Sequence, residues 1–261
     1  MRTEAVGGFP VRTLDFFIYR DRGTRPLERH LHFGAGDPPP VLPELTAGEK
    51  VLVAVANSPW PFRVGALAFF EAAEQMSMRY DEEDAEAPVL SAVHAFLLPS
   101  RSAADTLTLD IRLLPLLCRV EVCSVFRDFP GDERIDGPRV LLQTVNAAAE
   151  LLRCDGFRPT ETLDDPDLLK SPELMRRPLP VDIGFFMQFP AVSLYAYPND
   201  AEEGGLGTPR TRLVLEGRIG GRTCRWESDL PALRRGFRLK TDWTVTGPFS
   251  AEMHTREEKE E

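Results

Sequence analysis

Residues 212–228 read RLVLEGRIGGRTCRWES. Leu213, Leu215 and Ile219 share one side of a two-residue period that stops at Gly220-Gly221, and Cys224, Trp226 and Ser228 take up the alternation on the return. Alternation on both sides of a glycine pair predicts a β-hairpin, because glycine accepts the backbone angles that a two-residue turn demands. After a turn at Arg234-Arg235-Gly236 the pattern runs again. Phe237, Leu239, Thr241, Trp243 and Val245 lie on one face and Arg238, Lys240, Asp242, Thr244 and Thr246 on the other, a strand with one covered and one wet side. Trp226 and Trp243 thus belong to the core rather than to a sugar-stacking surface. Glu252–Glu261 is charged and poor in apolar residues, which predicts a frayed tail.

Working towards the N-terminus, the same period predicts strands at Ile183–Phe189, Val192–Tyr197, Arg139–Asn146 and Ala149–Cys154. Thr160–Pro180 carries four prolines and is expected to be a long surface excursion. Leu116, Cys118, Val120 and Val122 alternate with Leu117, Arg119, Glu121 and Cys123, so Cys118 and Cys123 point to opposite faces and cannot pair within the strand. Further strands are read at 107–115, 89–98, 51–56, 27–33 and 11–19, the last with apolar groups on both faces. One helix is predicted, over about 62–80, where Phe62, Ala66, Phe69, Phe70, Ala73, Met76 and Tyr80 recur at spacings of three and four. The fold class is therefore mainly β, with two tandem sandwiches and one helix in the first. The alternation breaks and restarts at Pro115, dividing the chain into residues 1–114, residues 115–248 and a charged tail, residues 249–261.

Composition narrows the function. The chain has 261 residues, and its 23 prolines are nearly twice the usual share of about 5%. Proline interrupts long helices. No apolar run approaches the roughly 20 residues that cross a bilayer. With 41 acidic and 31 basic residues the net charge is −10, which repels a phosphate backbone, so nucleic acid is excluded as a partner. Four cysteines, Cys118, Cys123, Cys154 and Cys224, show no metal or redox spacing and read as reduced, buried thiols. The first ten residues carry no signal-peptide pattern, so the chain is expected to be cytoplasmic or trimmed.

No catalytic motif is present: there is no GxSxG, no phosphate-binding glycine loop and no HExxH, and Gly204-Gly205-Leu206-Gly207 reads as a plain loop. His30 and His32 share a strand face and would seed a metal site only if carboxylates joined them; a solvated face is the expectation. Asp164, Asp165 and Asp167 are expected to cap a turn, and Asp81–Glu86 to be a solvated acidic loop. Of the three tryptophans, Trp60, between Pro59 and Pro61, is the one whose pattern does not decide between packing and sugar stacking. Catalytic, cofactor and metal residues are all expected to be none.

YAYPND at 195–200, followed by TPRTRLVLEGRIGGRTCRWESDLPALRRGFRLKTDWTVTGP at 208–248, resembles the last domain of the Bacteroidetes fimbrillins. VRTLDFFIYRDRGTRPL at 11–27, LTAGEKVLVAVANSP at 45–59 and LTLDIRLLPLLCRVEVCSV at 107–125 resemble the FimB-like branch of minor or anchoring subunits. The resemblance implies two transthyretin-like β-sandwich domains, export to the cell surface, and a structural or anchoring role in fimbriae. The implied partners are other fimbrial subunits, joined by β-strand addition, and the outer membrane through a lipid anchor upstream of this chain. A carbohydrate-binding adhesin module is the alternative. Family members have one more strand before the segment at Val11, and nothing before Val11 matches it. If that strand is absent, Leu14, Phe16 and Ile18 or their neighbours are expected to line an incompletely covered groove.

Overall fold

In the computed structural model, residues 2–35, 37, 45–100, 107–152, 161–201 and 209–260 are described. Gly204–Gly207 and Cys154 lie outside them. The strands in chain order are β1 (Arg2–Ala5), β2 (Thr13–Arg20), β3 (Leu27–Gly34), β4 (Gly48–Ala56), β5 (Ser77–Arg79), β6 (Leu90–Leu98), β7 (Asp110–Pro115), β8 (Cys118–Arg127) and β9 (Asp136–Gln143). They continue as β10 (Val145–Asn146), β11 (Ala148–Glu150), β12 (Thr162–Leu163), β13 (Arg176–Pro178), β14 (Phe186–Ala196), β15 (Arg212–Ile219), β16 (Arg222–Asp229), β17 (Phe237–Gly247) and β18 (Ser250–Lys259). The protein is mainly β.

Six strands form one sheet in the order β1-β7-β6-β4-β2-β3. Two four-stranded sheets follow, β13-β9-β15-β16 and β14-β8-β17-β18. Alternation explains why the latter two stack. Val120 and Val122 of β8 and Leu239, Trp243 and Val245 of β17 join Val140 and Leu142 of β9, Leu213 and Leu215 of β15 and Trp226 of β16 in one buried cluster. The Trp226 indole N–H crosses the gap to the Gly247 carbonyl at 2.8 Å. The hairpin predicted from Gly220-Gly221 is present as β15–β16, with both glycines at positive φ. Gly217, on the same strand, is needed for space: a Cβ there would come within 2.4 Å of the Ile135 side chain, which is fully buried. Gly217→Ala is expected to lower stability by about 1–3 kcal/mol through overpacking, read as a lower urea midpoint.

The six-stranded sheet buries both faces, as the two-sided apolar pattern of residues 14–19 and 51–56 requires. Phe17, Tyr19, Val51, Val53 and Val55 join the main cluster, while Leu14, Phe16, Ile18, Leu52 and Ala54 face a second one with Ile111 and Leu113 of β7. That second cluster corrects the expectation of an uncovered groove. Arg2–Ala5 is a strand, paired parallel to β7, and Ala5 and Phe9 pack over the cluster.

Four other expectations are corrected. The helix over 62–80 is a 3-10 turn at Val64–Leu67, one short helix α1 (Phe70–Glu74) and then β5. Leu67, Phe70 and Ala73 are buried at helical spacing, but Met78 and Tyr80 are buried two apart, because β5 pairs with Ala148–Glu150 of β11. The frayed tail is strand β18, held along β17 from Lys259↔Phe237 to Ser250↔Gly247, with Glu258 paired to Arg238 and Lys240. The stretch before Pro180 is not an excursion: Leu174 and Met175 are fully buried, and β13 pairs with β9. The two strands read at 183–189 and 192–197 are the single strand β14, with a register shift between Gln188 and Val192.

Every strand from β1 to β7 in a large sheet belongs to the six-stranded one, and every such strand from β8 on to the other two. A polar seam ties the two groups. The buried Arg235 guanidinium donates to the carbonyls of Pro115 (3.0 Å), Leu114 (2.8 Å) and Leu151 (3.4 Å) and to the Ser91 hydroxyl (2.9 Å). Tyr80 donates to the Tyr195 carbonyl, and Tyr197 to Glu83.

Candidate functional site: an open sheet edge

β6 is where the six-stranded sheet comes apart. Its sequence, LSAVHAFLL, contains no Asp, Glu, Lys or Arg. Along one flank it pairs with β4 over its whole length, from Leu90↔Ala56 to Leu98↔Gly48. Along the other flank β7 meets it only at Leu90↔Pro115 and Ser91↔Leu114 before turning away to pair with β1. From Ala92 to Leu98 this flank has no ladder partner among the described residues. Val93 and Ala95 stand opposite Val53 and Val51 on one face, and Val93 is 46% and Leu97 63% exposed. On the other face Ala92 and Phe96 pack half-buried against the second cluster.

The outer margins of the three large sheets are built differently. β1, β3, β13, β16 and β18 carry charged side chains, and β14 carries Pro190 and a register shift. Charges, proline and bulges are the devices that keep strand edges from pairing with other chains. β6 has none of them between Ala92 and Leu98. An edge of this kind offers unpaired N–H and C=O groups with alternating apolar side chains, which is what an added strand recognises.

The residues weighed from sequence take other roles. His30 Nε2 and His32 Nδ1 both lie against Asp15 Oδ1, at 2.8 and 3.1 Å, so a carboxylate does join them. Among the described residues, however, no group of three or more His, Cys, Asp or Glu is arranged to hold a metal ion. The contact instead ties β3 to the buried Asp15. Asp165 caps the 3-10 turn at Pro166–Leu168 by accepting from the Asp167 N–H, as expected, whereas Asp164 accepts from the distant Thr144 N–H and Asp167 pairs with Arg176. Trp226 and Trp243 are buried, and Trp60 is half-buried against the core. Cys118 and Cys224 are buried, and Cys123 is half-buried.

The acidic loop departs from the expected solvated state at Glu83, which is only 2% exposed. Burial pushes its carboxyl up to about 7, against the opposing hydrogen bonds from the Val89 N–H and the Tyr197 hydroxyl. The motif YAYPND now has a physical explanation. Asn199 pairs its backbone with Leu233 in both directions, and its side chain donates to the Pro209 carbonyl and the Thr211 hydroxyl.

No family model matches the chain, and no curated protein matches it. Solved structures do match. A protein of Bacteroides eggerthii named for cell adhesion superposes with a TM-score of 0.68 at 11% identity, covering 99% of this chain and 91% of that one. A Parabacteroides distasonis protein of the same description gives 0.63 at 10% identity, over 96% and 88%. A fimbrial assembly protein of Parabacteroides distasonis gives 0.54 at 11% identity, over 95% and 88%. The chain shares the fold of these three proteins. At these identities the likeness is one of chain path, and it runs through both groups of sheets. Among the described residues no helix is long and apolar enough to cross a membrane.

Proposed function

We propose that this chain is a non-catalytic structural or anchoring subunit of cell-surface fimbriae, exported and joined to other fimbrial subunits by β-strand addition. It comprises two β-sandwich units of the transthyretin-like kind, divided at Pro115. The observation that carries this reading is the fold, which follows proteins named for cell adhesion and fimbrial assembly over 95–99% of the chain. The division is supported by the sheet membership, which changes between β7 and β8 with only Leu116 and Leu117 between them. Strand addition is supported by the open flank of β6, which carries no Asp, Glu, Lys or Arg.

The test is incorporation. A tagged chain expressed in a fimbriate Bacteroides host is expected in the sheared fimbrial fraction. Val93→Lys with Leu97→Lys is expected to remove it from that fraction at least tenfold, since two charges on exposed positions oppose strand pairing while costing the fold little. Circular dichroism melting checks that the variant still folds. Equal incorporation of both chains would overturn strand addition at β6, and absence of the parent chain from fimbriae would overturn the subunit reading.

A further inference from the structure

Glu83 follows the 3-10 turn Tyr80–Glu82 and enters the seam from the side of the six-stranded sheet. Its Oε2 accepts the Val89 backbone N–H at 3.0 Å. Its Oε1 accepts the Tyr197 hydroxyl at 2.8 Å, and Tyr197, at the end of β14, is itself fully buried. Two donors are few for a carboxylate removed from water. Its surroundings do not repair this. Tyr80 and Asp84 face it from its own segment, and Tyr197 from beyond β14. Arg235, just ahead of β17, is the cation that draws it towards ionisation, but no hydrogen bond joins the two among the described residues. Arg12 and Lys170 share with Glu83 a cleft of about 200 Å³, but both contact Asp84, at 3.3 and 3.6 Å.

We propose that Glu83 is a proton-operated latch on the seam, which holds the six-stranded sheet against the paired four-stranded sheets more tightly in mildly acidic than in alkaline solution. As the pH falls, the carboxylate takes a proton from water, and the resulting O–H donates to the Tyr197 hydroxyl oxygen. As the pH rises that proton returns to water, and the same tyrosine hydroxyl donates to the carboxylate. The hydrogen bond survives in either direction; what changes is whether a net charge is buried.

The sign follows from linkage. With the seam open and Glu83 in water, its carboxyl titrates near the ordinary 4.5, and with the seam closed it titrates near 7. Below 4.5 both forms are protonated and closing has its full strength. Between 4.5 and 7 only the open form loses its proton, so each pH unit favours opening about tenfold, and above 7 the effect is constant. Opening is therefore expected to rise by about two orders of magnitude from pH 5 to pH 8.

Hydrogen exchange of the full chain, corrected for the intrinsic pH dependence of exchange, reads this directly. The reporters are the amides of Tyr80, bonded to the Ala147 carbonyl, and Leu151, bonded to the Met76 carbonyl; the references are Val214 and Leu215 in β15. The seam amides are expected to lose about a hundredfold in protection from pH 5 to pH 8 while the references do not, and Glu83→Gln is expected to abolish the difference. The same loss in both proteins, or no seam-specific loss in the parent, would overturn the latch. Tyr197→Phe supplies an independent check should the glutamine variant fail to fold. It removes a donor that favours the charged form, so the pH at which opening levels off is expected to rise, and an unmoved plateau would equally overturn the proposal.

Discussion

Trp243→Ala is expected to cost about 4 kcal/mol of folding stability and about 10 °C in Tm. Trp243 is 1% exposed and sits in the middle of β17, with β8 on one flank and β18 on the other. Truncation removes the largest fully buried side chain of the molecule and opens a cavity between two sheets whose strands are fixed by their ladders, so collapse around it is limited. A second variant separates volume from polarity. The Trp243 indole N–H is buried with no hydrogen-bond partner among the described residues, unlike that of Trp226, which reaches the Gly247 carbonyl. Trp243→Phe keeps most of the apolar surface and deletes an unpaired donor, so it is expected to cost about 1 kcal/mol or less, whereas Trp226→Phe also loses a made hydrogen bond. Urea denaturation of the three variants decides the matter. A phenylalanine variant as unstable as the alanine one would mean that the indole N–H is satisfied after all.

Arg235→Met is expected to cost about 3 kcal/mol, with the loss concentrated at the seam. Arg235 is 8% exposed, and its guanidinium fork reaches acceptors on both sides of the join: the Leu114 and Pro115 carbonyls, the Ser91 hydroxyl and the Leu151 carbonyl. Methionine fills a similar volume but leaves buried carbonyls without donors, and an orphaned acceptor costs more than the bond contributed when made. Arg235→Lys keeps the charge with a single donor group at its tip and is expected to recover less than half of the loss. Hydrogen exchange should show Leu116, whose N–H is bonded to the Val89 carbonyl, losing protection before the β15 amides do. Uniform loss across all sheets would place Arg235 in the general core rather than at the join.

These two side chains illustrate what local sequence can and cannot reveal. Trp243 was readable as a core residue because Leu239 and Val245 share its face two residues at a time, and the alternation of a strand is a property of the backbone pleat. Arg235 was readable only as part of a turn. Its acceptors lie between 84 and 144 residues away, and no local pattern encodes them. Glu83 was hidden for the same reason. In the run Asp81–Glu86 it looks like its acidic neighbours, yet Tyr197, 114 residues on, arrives to cover it. The open flank of β6 was hidden in another way. Residues 90–98 announce a strand, but that β7 would leave it after two pairs and turn to β1 is a matter of sheet topology.

By itself the sequence determined most of the longer alternating strands, the β15–β16 hairpin with its glycine pair, the change of pattern at Pro115 and the covered positions of Trp226 and Trp243. Each depends on side-chain periodicity or on the backbone freedom of particular residues, both of which act over a few positions. Tertiary structure decided the rest. It broke the apolar stripe of 62–80 into a short helix and a strand, since β5 pairs with Ala148–Glu150 of β11 and buries Met78 there. It turned the charged run after Phe249 into β18, because the ladder to β17 and the Glu258 ion pairs order a segment with little apolar surface of its own. It also selected which polar residues are buried and which edge stays open, choices made by partners distant in the chain and therefore absent from any local window of residues.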